Sequence, residues 1–139
     1  MASIVQHVGF NCRNRTAMEK FYSKHFGFRR ARVFEAGTPA EFVMLRLGDT
    51  CMELFPARDA AADAHGGEQQ VGFKHLCFQL PDITAKAAEL NAAGTKTGAV
   101  IDCGHQVPGL KVCFFTDPDG NVVELMEGWQ DDPHPPRPR

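Results

Sequence analysis

The chain has 139 residues, 43% of them hydrophobic and 23% charged, with a net charge of −2. This size and composition are ordinary for a soluble globular domain that buries a core. Lys and Arg are scattered, so a basic surface of the kind that binds nucleic acid is excluded. Because no segment offers about 18 apolar residues for a membrane span and the N-terminus lacks a secretory pattern, we expect a cytoplasmic protein with no membrane partner.

The first half of the chain predicts the order strand, helix and three strands. A β-rich run covers residues 4–11, and Thr16 and Glu19 have capping-box spacing at the start of a helix that Gly27 ends. Three further strands are predicted at 32–35, 41–47 and 51–55.

The same plan restarts after a linker at 57–70. A strand is predicted at 73–80, then a helix capped by Asp82 and ended by Gly94. Matching landmarks recur 67 to 71 residues apart, which indicates an internal duplication of a βαβββ unit. The remaining strands are predicted at 97–101, 111–116 and 121–126.

These elements predict an α+β fold in a single domain over residues 1–128. Module one covers 3–56 and module two covers 71–128, and the polar tail at 129–139 is expected to be mobile. The five cysteines include no C-x-x-C pair, so we expect reduced and mostly buried thiols.

One histidine and one glutamate in each module form a repeated unit: His7 with Glu53, and His75 with Glu124. Side chains alternate along a strand, and in all four strands these residues lie opposite the apolar set. A carboxylate in mid-strand is costly unless it is paired or binds a cation. We therefore predict one divalent metal ion with four nitrogen and oxygen donors, which suit Zn²⁺, Ni²⁺, Co²⁺, Mn²⁺ or Fe²⁺.

Other side chains are predicted to face the same cavity and to contact a small-molecule substrate. They are Asn11, Phe42, Met44, Arg46, Phe73, Phe115 and Met126. Of the remaining histidines, His25, His65 and His134 are expected to be exposed to solvent, while His105 lies in a loop that can border the cavity.

The sequence resembles the vicinal oxygen chelate superfamily, which includes glyoxalase I, methylmalonyl-CoA epimerase, fosfomycin-resistance proteins, bleomycin-binding proteins and extradiol dioxygenases. The resemblance covers residues 4–127. Its most specific parts are His7-Val8-Gly9-Phe10, Phe21-Tyr22, Gly27-Phe28 and the run from Phe115 to Leu125.

This resemblance implies that the paired modules form a U-shaped sheet around the metal, with the helices on the outer face. His7, Glu53, His75 and Glu124 fall where glyoxalase I has its ligands, and Glu124 would be the principal base with Glu53 as its counterpart. It also implies a homodimer, in which the two pairs can meet within one chain or between chains. The glutathione-holding positions of glyoxalase I carry Asn11 and Ala57 here, which weakens the case for a glutathione adduct.

The leading prediction is a metal-dependent lyase or isomerase of the glyoxalase type, which stabilises an enediolate of a small α-hydroxycarbonyl compound or thiohemiacetal. Two alternatives stay open: an epimerase of the same superfamily, and a protein that binds or sequesters a small molecule without turnover. The metal, the substrate and the pathway are not readable from the residues.

Overall fold

A computed structural model describes residues 2–59 and 73–138. The chain divides into two compact units, each with one helix and one four-stranded sheet. Unit 1 comprises Met1–His65 with Asp117–Asn121, and unit 2 comprises Gly66–Thr116 with Val122–Arg139. None of the helices in the described ranges is long and apolar enough to cross a membrane.

Unit 1 contains a mixed sheet in the strand order β1-β4-β3-β2. Strands β1 and β4 are parallel, and the other neighbours are antiparallel. Helix α1 packs against β3 and β4. The elements are β1 (His7–Cys12), α1 (Arg15–Phe26), β2 (Arg29–Phe34), β3 (Phe42–Leu47) and β4 (Thr50–Pro56).

Unit 2 repeats this arrangement in the order β5-β8-β7-β6, again with one parallel pair, β5 and β8. Helix α2 packs against β7 and β8. The elements are β5 (Leu76–Gln79), α2 (Ile83–Ala92), β6 (Ile101–Asp102), β7 (Lys111–Thr116) and β8 (Val122–Glu127). The predicted α+β class with two βαβββ modules is confirmed, and both sheets are open.

The core of each unit lies between its helix and one face of its sheet. In unit 1, Val43, Leu45 and Leu54 are fully buried, together with Met18 and Tyr22 of the helix. In unit 2, the buried residues include Ile83, Leu90, Val123 and Leu125. The alternation along β3, β4 and β8 therefore assigns one face to the core and leaves the opposite face for polar side chains.

The start of α1 differs from the prediction. The cap is Asn14, whose side-chain oxygen accepts from the Ala17 amide at 2.9 Å, so the helix begins before Thr16. Glu19 does not complete a capping box, because its carboxylate instead accepts hydrogen bonds from Arg30. The predicted end at Gly27 is confirmed by its left-handed backbone, with φ of 77°.

The histidines outside the two His/Glu pairs differ in their exposure to solvent. His25 was expected to face solvent, but it is 6% exposed and its ring packs 4.9 Å from that of Phe21, because it lies on the core side of α1. His134 is exposed, as predicted, and His105 of the loop before β7 is exposed as well. His65 and most of the predicted linker lie outside the described residues. The five cysteines are free thiols, and Cys12, Cys51 and Cys113 are buried.

The turn between β7 and β8 is held by a buried hydrogen bond to the first helix. The Tyr22 hydroxyl donates to Asp117 Oδ2 at 2.7 Å, and the Asn121 side chain donates to the same carboxylate. Asp119 accepts from the Arg13 amide at 2.9 Å. Both aspartates are buried, and these bonds satisfy carboxylates that would otherwise be costly to bury. The predicted turn Asp117-Pro118-Asp119-Gly120 thus connects two strands and also packs in unit 1.

Candidate metal centre

In unit 1, His7 and Glu53 lie on adjacent strands and face each other diagonally. His7 is the first residue of β1, and Glu53 pairs with Gly9, two residues further along that strand. The distance between His7 Nε2 and Glu53 Oε2 is 3.3 Å, and the Glu53 side chain is only 15% exposed. The predicted pair is therefore assembled on one face of the sheet.

The Gln6 amide orients the ring of His7. Gln6 Nε2 donates to the sulfur of Cys51, so its Oε1 is the atom that faces His7 Nδ1, at 2.6 Å. An amide oxygen only accepts, so Nδ1 donates to it, and Nε2 is the nitrogen that faces Glu53. A proton or a metal ion between Nε2 and the carboxylate satisfies both atoms. Metal-ligating histidines commonly have such an outer hydrogen bond.

In unit 2, the corresponding pair is closer and more shielded. His75 Nε2 lies 2.8 Å from Glu124 Oε2, and the two side chains are 28% and 10% exposed. His75 directly precedes β5, because this strand begins at Leu76 rather than at the predicted residue 73. The ring of Phe114 meets that of His75 at an angle of 71°, with 5.8 Å between centroids.

The thiol of Cys77 is a neighbour that the sequence reading did not single out. Cys77 pairs with Glu124 across β5 and β8. Desolvation, followed by the negative charge of Glu124 and a hydrogen bond to it, raises the pKa of Cys77 to about 11. The thiol therefore keeps its proton beside the carboxylate.

The donor distances fit a shared cation. Two donors at about 2.1 Å from one ion are separated by about 3.0 Å in octahedral and about 3.4 Å in tetrahedral geometry. The separations of 3.3 Å and 2.8 Å lie close to this range. Within residues 2–59 and 73–138, no group of three or more His, Cys, Asp or Glu side chains is arranged to hold an ion. Each unit thus brings together one histidine and one glutamate.

The predicted substrate residues of unit 1 share the face of Glu53. Met44 pairs directly with Glu53, the ring of Phe42 stacks against that of Phe55, and Asn11 pairs with Phe55 across β1 and β4. Arg46 is in the next row, opposite Cys51, and its guanidinium donates to the Gly48 carbonyl at 3.4 Å. Phe55 lies on the same face, two residues after Glu53 on β4, and was not among the predicted substrate residues.

In unit 2, Phe115 was predicted to contact substrate but lies on the core face of the sheet. Phe115 pairs with Val123 and is 5% exposed, so it belongs to the core, whereas Phe114 pairs with Glu124. Residues directly opposite each other in an antiparallel pair point to the same face, which explains the exchange. Met126 is half-buried on β8, and Phe73 is 88% exposed before β5.

Comparison of the sequence with models of known protein families gives a match to one family. A sequence model of the Glyoxalase/Bleomycin resistance protein/Dioxygenase superfamily matches residues 4–125, nearly the whole described chain. The chain belongs to this superfamily. Members of the superfamily typically bind a divalent metal and small molecules, and they are often dimers. The matched region contains both His/Glu pairs.

Individual relatives of the superfamily are similar over different lengths. A lactoylglutathione lyase from Pseudomonas aeruginosa is 34% identical over 64 residues, which are 45% of this chain and 34% of that protein. The match thus spans about a third of the length of this relative. A glyoxalase family protein from Enterococcus faecalis has 29% identity and a TM-score of 0.73, with coverage of 89% of this chain and 97% of that chain.

A third similar structure shows the fold alone. TnmS3, an antibiotic-binding protein from Streptomyces sp. CB03234, has 20% identity and a TM-score of 0.65, with coverage of 91% of this chain and 96% of that chain. The fold of this chain therefore also occurs in a protein that is named for antibiotic binding.

Proposed function

We propose that this protein is a metal-dependent lyase or isomerase of the glyoxalase type, acting on a small α-hydroxycarbonyl compound or thiohemiacetal. The observation that carries the proposal is the pairing of a histidine nitrogen with a glutamate oxygen at the matching place in each unit, His7 with Glu53 at 3.3 Å and His75 with Glu124 at 2.8 Å. Imidazole nitrogen and carboxylate oxygen are donors that suit a divalent cation.

The four donors His7, Glu53, His75 and Glu124 would hold one ion, which is Zn²⁺, Ni²⁺, Co²⁺, Mn²⁺ or Fe²⁺ by ligand type. When bound, this ion supplies positive charge for the substrate oxygens. The proposal requires the two pairs to combine, either within one chain or between the subunits of a homodimer. We favour the homodimer, with one ion in each of two shared sites, and a cytoplasmic location.

The protein residues perform the proton transfers. Glu124 is the proposed base: its carboxylate takes the proton from the carbon that carries the hydroxyl, and the electron pair moves towards the adjacent carbonyl to form an enediolate. The proton is then returned to the former carbonyl carbon, and the hydroxyl proton passes to the former carbonyl oxygen, so that the hydroxyl and carbonyl groups exchange places. Glu124 is more shielded from water than Glu53, which favours it as the base, with Glu53 as its counterpart.

The direct test combines metal analysis with a turnover panel on one protein preparation. Protein purified without added metal is analysed for its elements and then assayed with hemithioacetals and α-hydroxy acids. We expect one divalent ion per chain and turnover that a chelator abolishes and the same metal restores. Full turnover after complete removal of metal would refute the proposal.

Two alternatives give different results in the same panel. An epimerase would exchange a substrate proton for solvent deuterium at a stereocentre without net isomerisation. A binding protein would retain a ligand without turnover, and the row of half-buried, stacked phenylalanine rings in unit 1 is the observation that favours it.

A further inference from the structure

Three phenylalanine side chains form a continuous row across the sheet of unit 1. Phe34 pairs with Phe42 across β2 and β3, and the ring of Phe42 stacks against that of Phe55 on β4. The rings are stacked, with 4.5 Å between the centroids in both contacts and interplanar angles of 8° and 22°. We call this set, Phe34, Phe42 and Phe55, the aromatic row.

The rings of the aromatic row stand up from the sheet. Two rings that lie side by side in one plane need roughly 6 Å between centroids to keep their carbon atoms at contact distance. The observed 4.5 Å therefore requires face-to-face stacking, at about the spacing of neighbouring strands. The ring edges point outward, and they carry the positive part of the aromatic quadrupole.

The aromatic row lies on the same face as the His7 and Glu53 pair. A Cβ placed on Gly9 would be 3.8 Å from the Phe55 ring, and Gly9 is the residue opposite Glu53. Phe55 follows Glu53 by two residues on β4, so their Cα atoms are about 7 Å apart. A substrate in which an aromatic ring is bonded directly to the reacting carbonyl group can span the distance of about 7 Å between Glu53 and Phe55.

An open pocket adjoins the aromatic row. Its volume is about 610 Å³, within the range of about 300 to 1,000 Å³ that is typical of small-molecule sites. Phe42 and Phe55 form part of its wall, and most of the remainder is apolar. The other lining residues are Glu35, Pro39, Ala40, Pro56, Ala57 and Arg58.

We propose that the aromatic row and this pocket bind a planar aromatic group of the substrate, so that the substrate class is an aryl-substituted α-hydroxycarbonyl or α-keto compound. The inference rests on the proposed function for the position of the reacting carbonyl group. The face of the substrate ring lies over the ring edges, which is the favoured edge-to-face arrangement. If Gly, Ala or polar residues stood at these three positions, this surface would not favour an aromatic ring over other groups.

The test measures equilibrium binding to metal-free protein by NMR titration, so it does not depend on turnover. Benzoylformate and pyruvate are compared because they share the α-keto acid group and differ in the aryl group. We expect benzoylformate to bind about tenfold more tightly or better, with shifts at the aromatic row. In Phe42→Leu, which breaks both stacks but keeps apolar bulk, that preference should fall to about twofold or less.

Trp129→Leu is the control, because it removes an exposed aromatic ring that lies outside the pocket. This variant should retain the full preference for benzoylformate. Circular dichroism and thermal unfolding of both variants verify that the fold is retained, and Phe34→Leu provides a second test at the edge of the row should Phe42→Leu fail to fold. Equal binding of the two acids, or a preference that survives loss of the row, would overturn the inference.

Failure of this inference is distinguishable from failure of the proposed function. Aryl preference without any turnover would retain the aromatic subsite and contradict the lyase proposal. Turnover with no aryl preference would do the opposite. If Phe42→Leu instead changes the oligomeric state and leaves ligand binding unchanged, the row is a contact between copies of the chain and the inference is wrong.

Discussion

His75 Nε2 lies 2.8 Å from Glu124 Oε2, which is 0.5 Å closer than the corresponding atoms of His7 and Glu53 at 3.3 Å. The Glu124 side chain is also the more shielded carboxylate, with 10% exposure against 15% for Glu53. The duplicated modules have therefore become unequal at their matching positions. This asymmetry supports the proposal, first implied by the family resemblance, that Glu124 carries out the principal proton transfer.

Replacement of Glu124 by Gln tests this assignment. The amide keeps the shape of the side chain but cannot accept the proton, so we expect kcat to fall by about 10²–10⁴-fold. Glu127→Gln is the matched control on the same strand, because Glu127 contacts Lys111 rather than His75. Steady-state kinetics with circular dichroism would measure both variants. An unchanged kcat in Glu124→Gln would show that Glu124 is not the base.

Mixing two inactive variants tests the proposed shared site of a homodimer. His7→Ala and His75→Ala each delete one donor, so each protein alone should lose its metal and its turnover. If sites are shared between subunits, a mixed dimer has one site with both histidines intact, and random exchange would restore about a quarter of wild-type activity. Sedimentation velocity should show the dimer.

A site built within each chain would give no recovery in that experiment, since every chain carries a defect. A monomer at micromolar concentration would likewise contradict the shared arrangement. His134→Ala, at an exposed histidine in the C-terminal region, is the control and should retain metal.

The N-terminal cap of α1 gives a prediction about stability. Asn14→Ala removes the side-chain acceptor for the Ala17 amide and should lower the free energy of unfolding by about 1 kcal/mol. Thr16→Ala should have little effect, because Thr16 lies within the helix and is exposed. Urea unfolding of the two variants would compare them. A larger loss in Thr16→Ala would favour the capping box predicted from the sequence.

The raised pKa of Cys12 predicts that the folded protein loses stability in alkaline solution. Desolvation, followed by the charges of Asp119 and Asp117, raises the pKa of this thiol from 9.0 to about 12. The folded protein therefore retains a proton that the unfolded chain releases, and stability present below pH 9 is lost as the pH rises towards 12. The contribution to the slope is at most about 1.4 kcal/mol per pH unit.

The measurement is urea unfolding between pH 8 and pH 10.5, which covers the lower part of this range. Cys12→Ala should be less stable at pH 8, owing to the lost packing, but should have a shallower decline above pH 9. Equal slopes for the variant and the wild type would show that Cys12 makes no such contribution.

Strand periodicity predicted the donor pairs because it depends only on local geometry. Alternate side chains point to opposite faces, so the apolar residues of β3, β4 and β8 were sufficient to identify the core face. The repeat then placed His7 with Glu53 and His75 with Glu124, and both pairs are in contact. The order of helices and strands followed from the same patterns.

Features that depend on contacts between distant segments were not predictable in this way. The consecutive residues Phe114 and Phe115 point to opposite faces, and the pairing of β7 with β8 decides that Phe114 accompanies Glu124. Asn14 and Thr16 are both residue types that cap helices, and only the folded helix shows that Asn14 is the cap. The burial of His25 depends on which side of α1 packs against the sheet.

The sequence by itself determined the duplicated fold and the four candidate donors, because residue type and alternation are written along the chain. The tertiary structure decided what surrounds them: the Gln6 contact that orients His7, and the aromatic row beside Glu53. Stacking of Phe34, Phe42 and Phe55 requires the register of three strands, and register is a property of the assembled sheet.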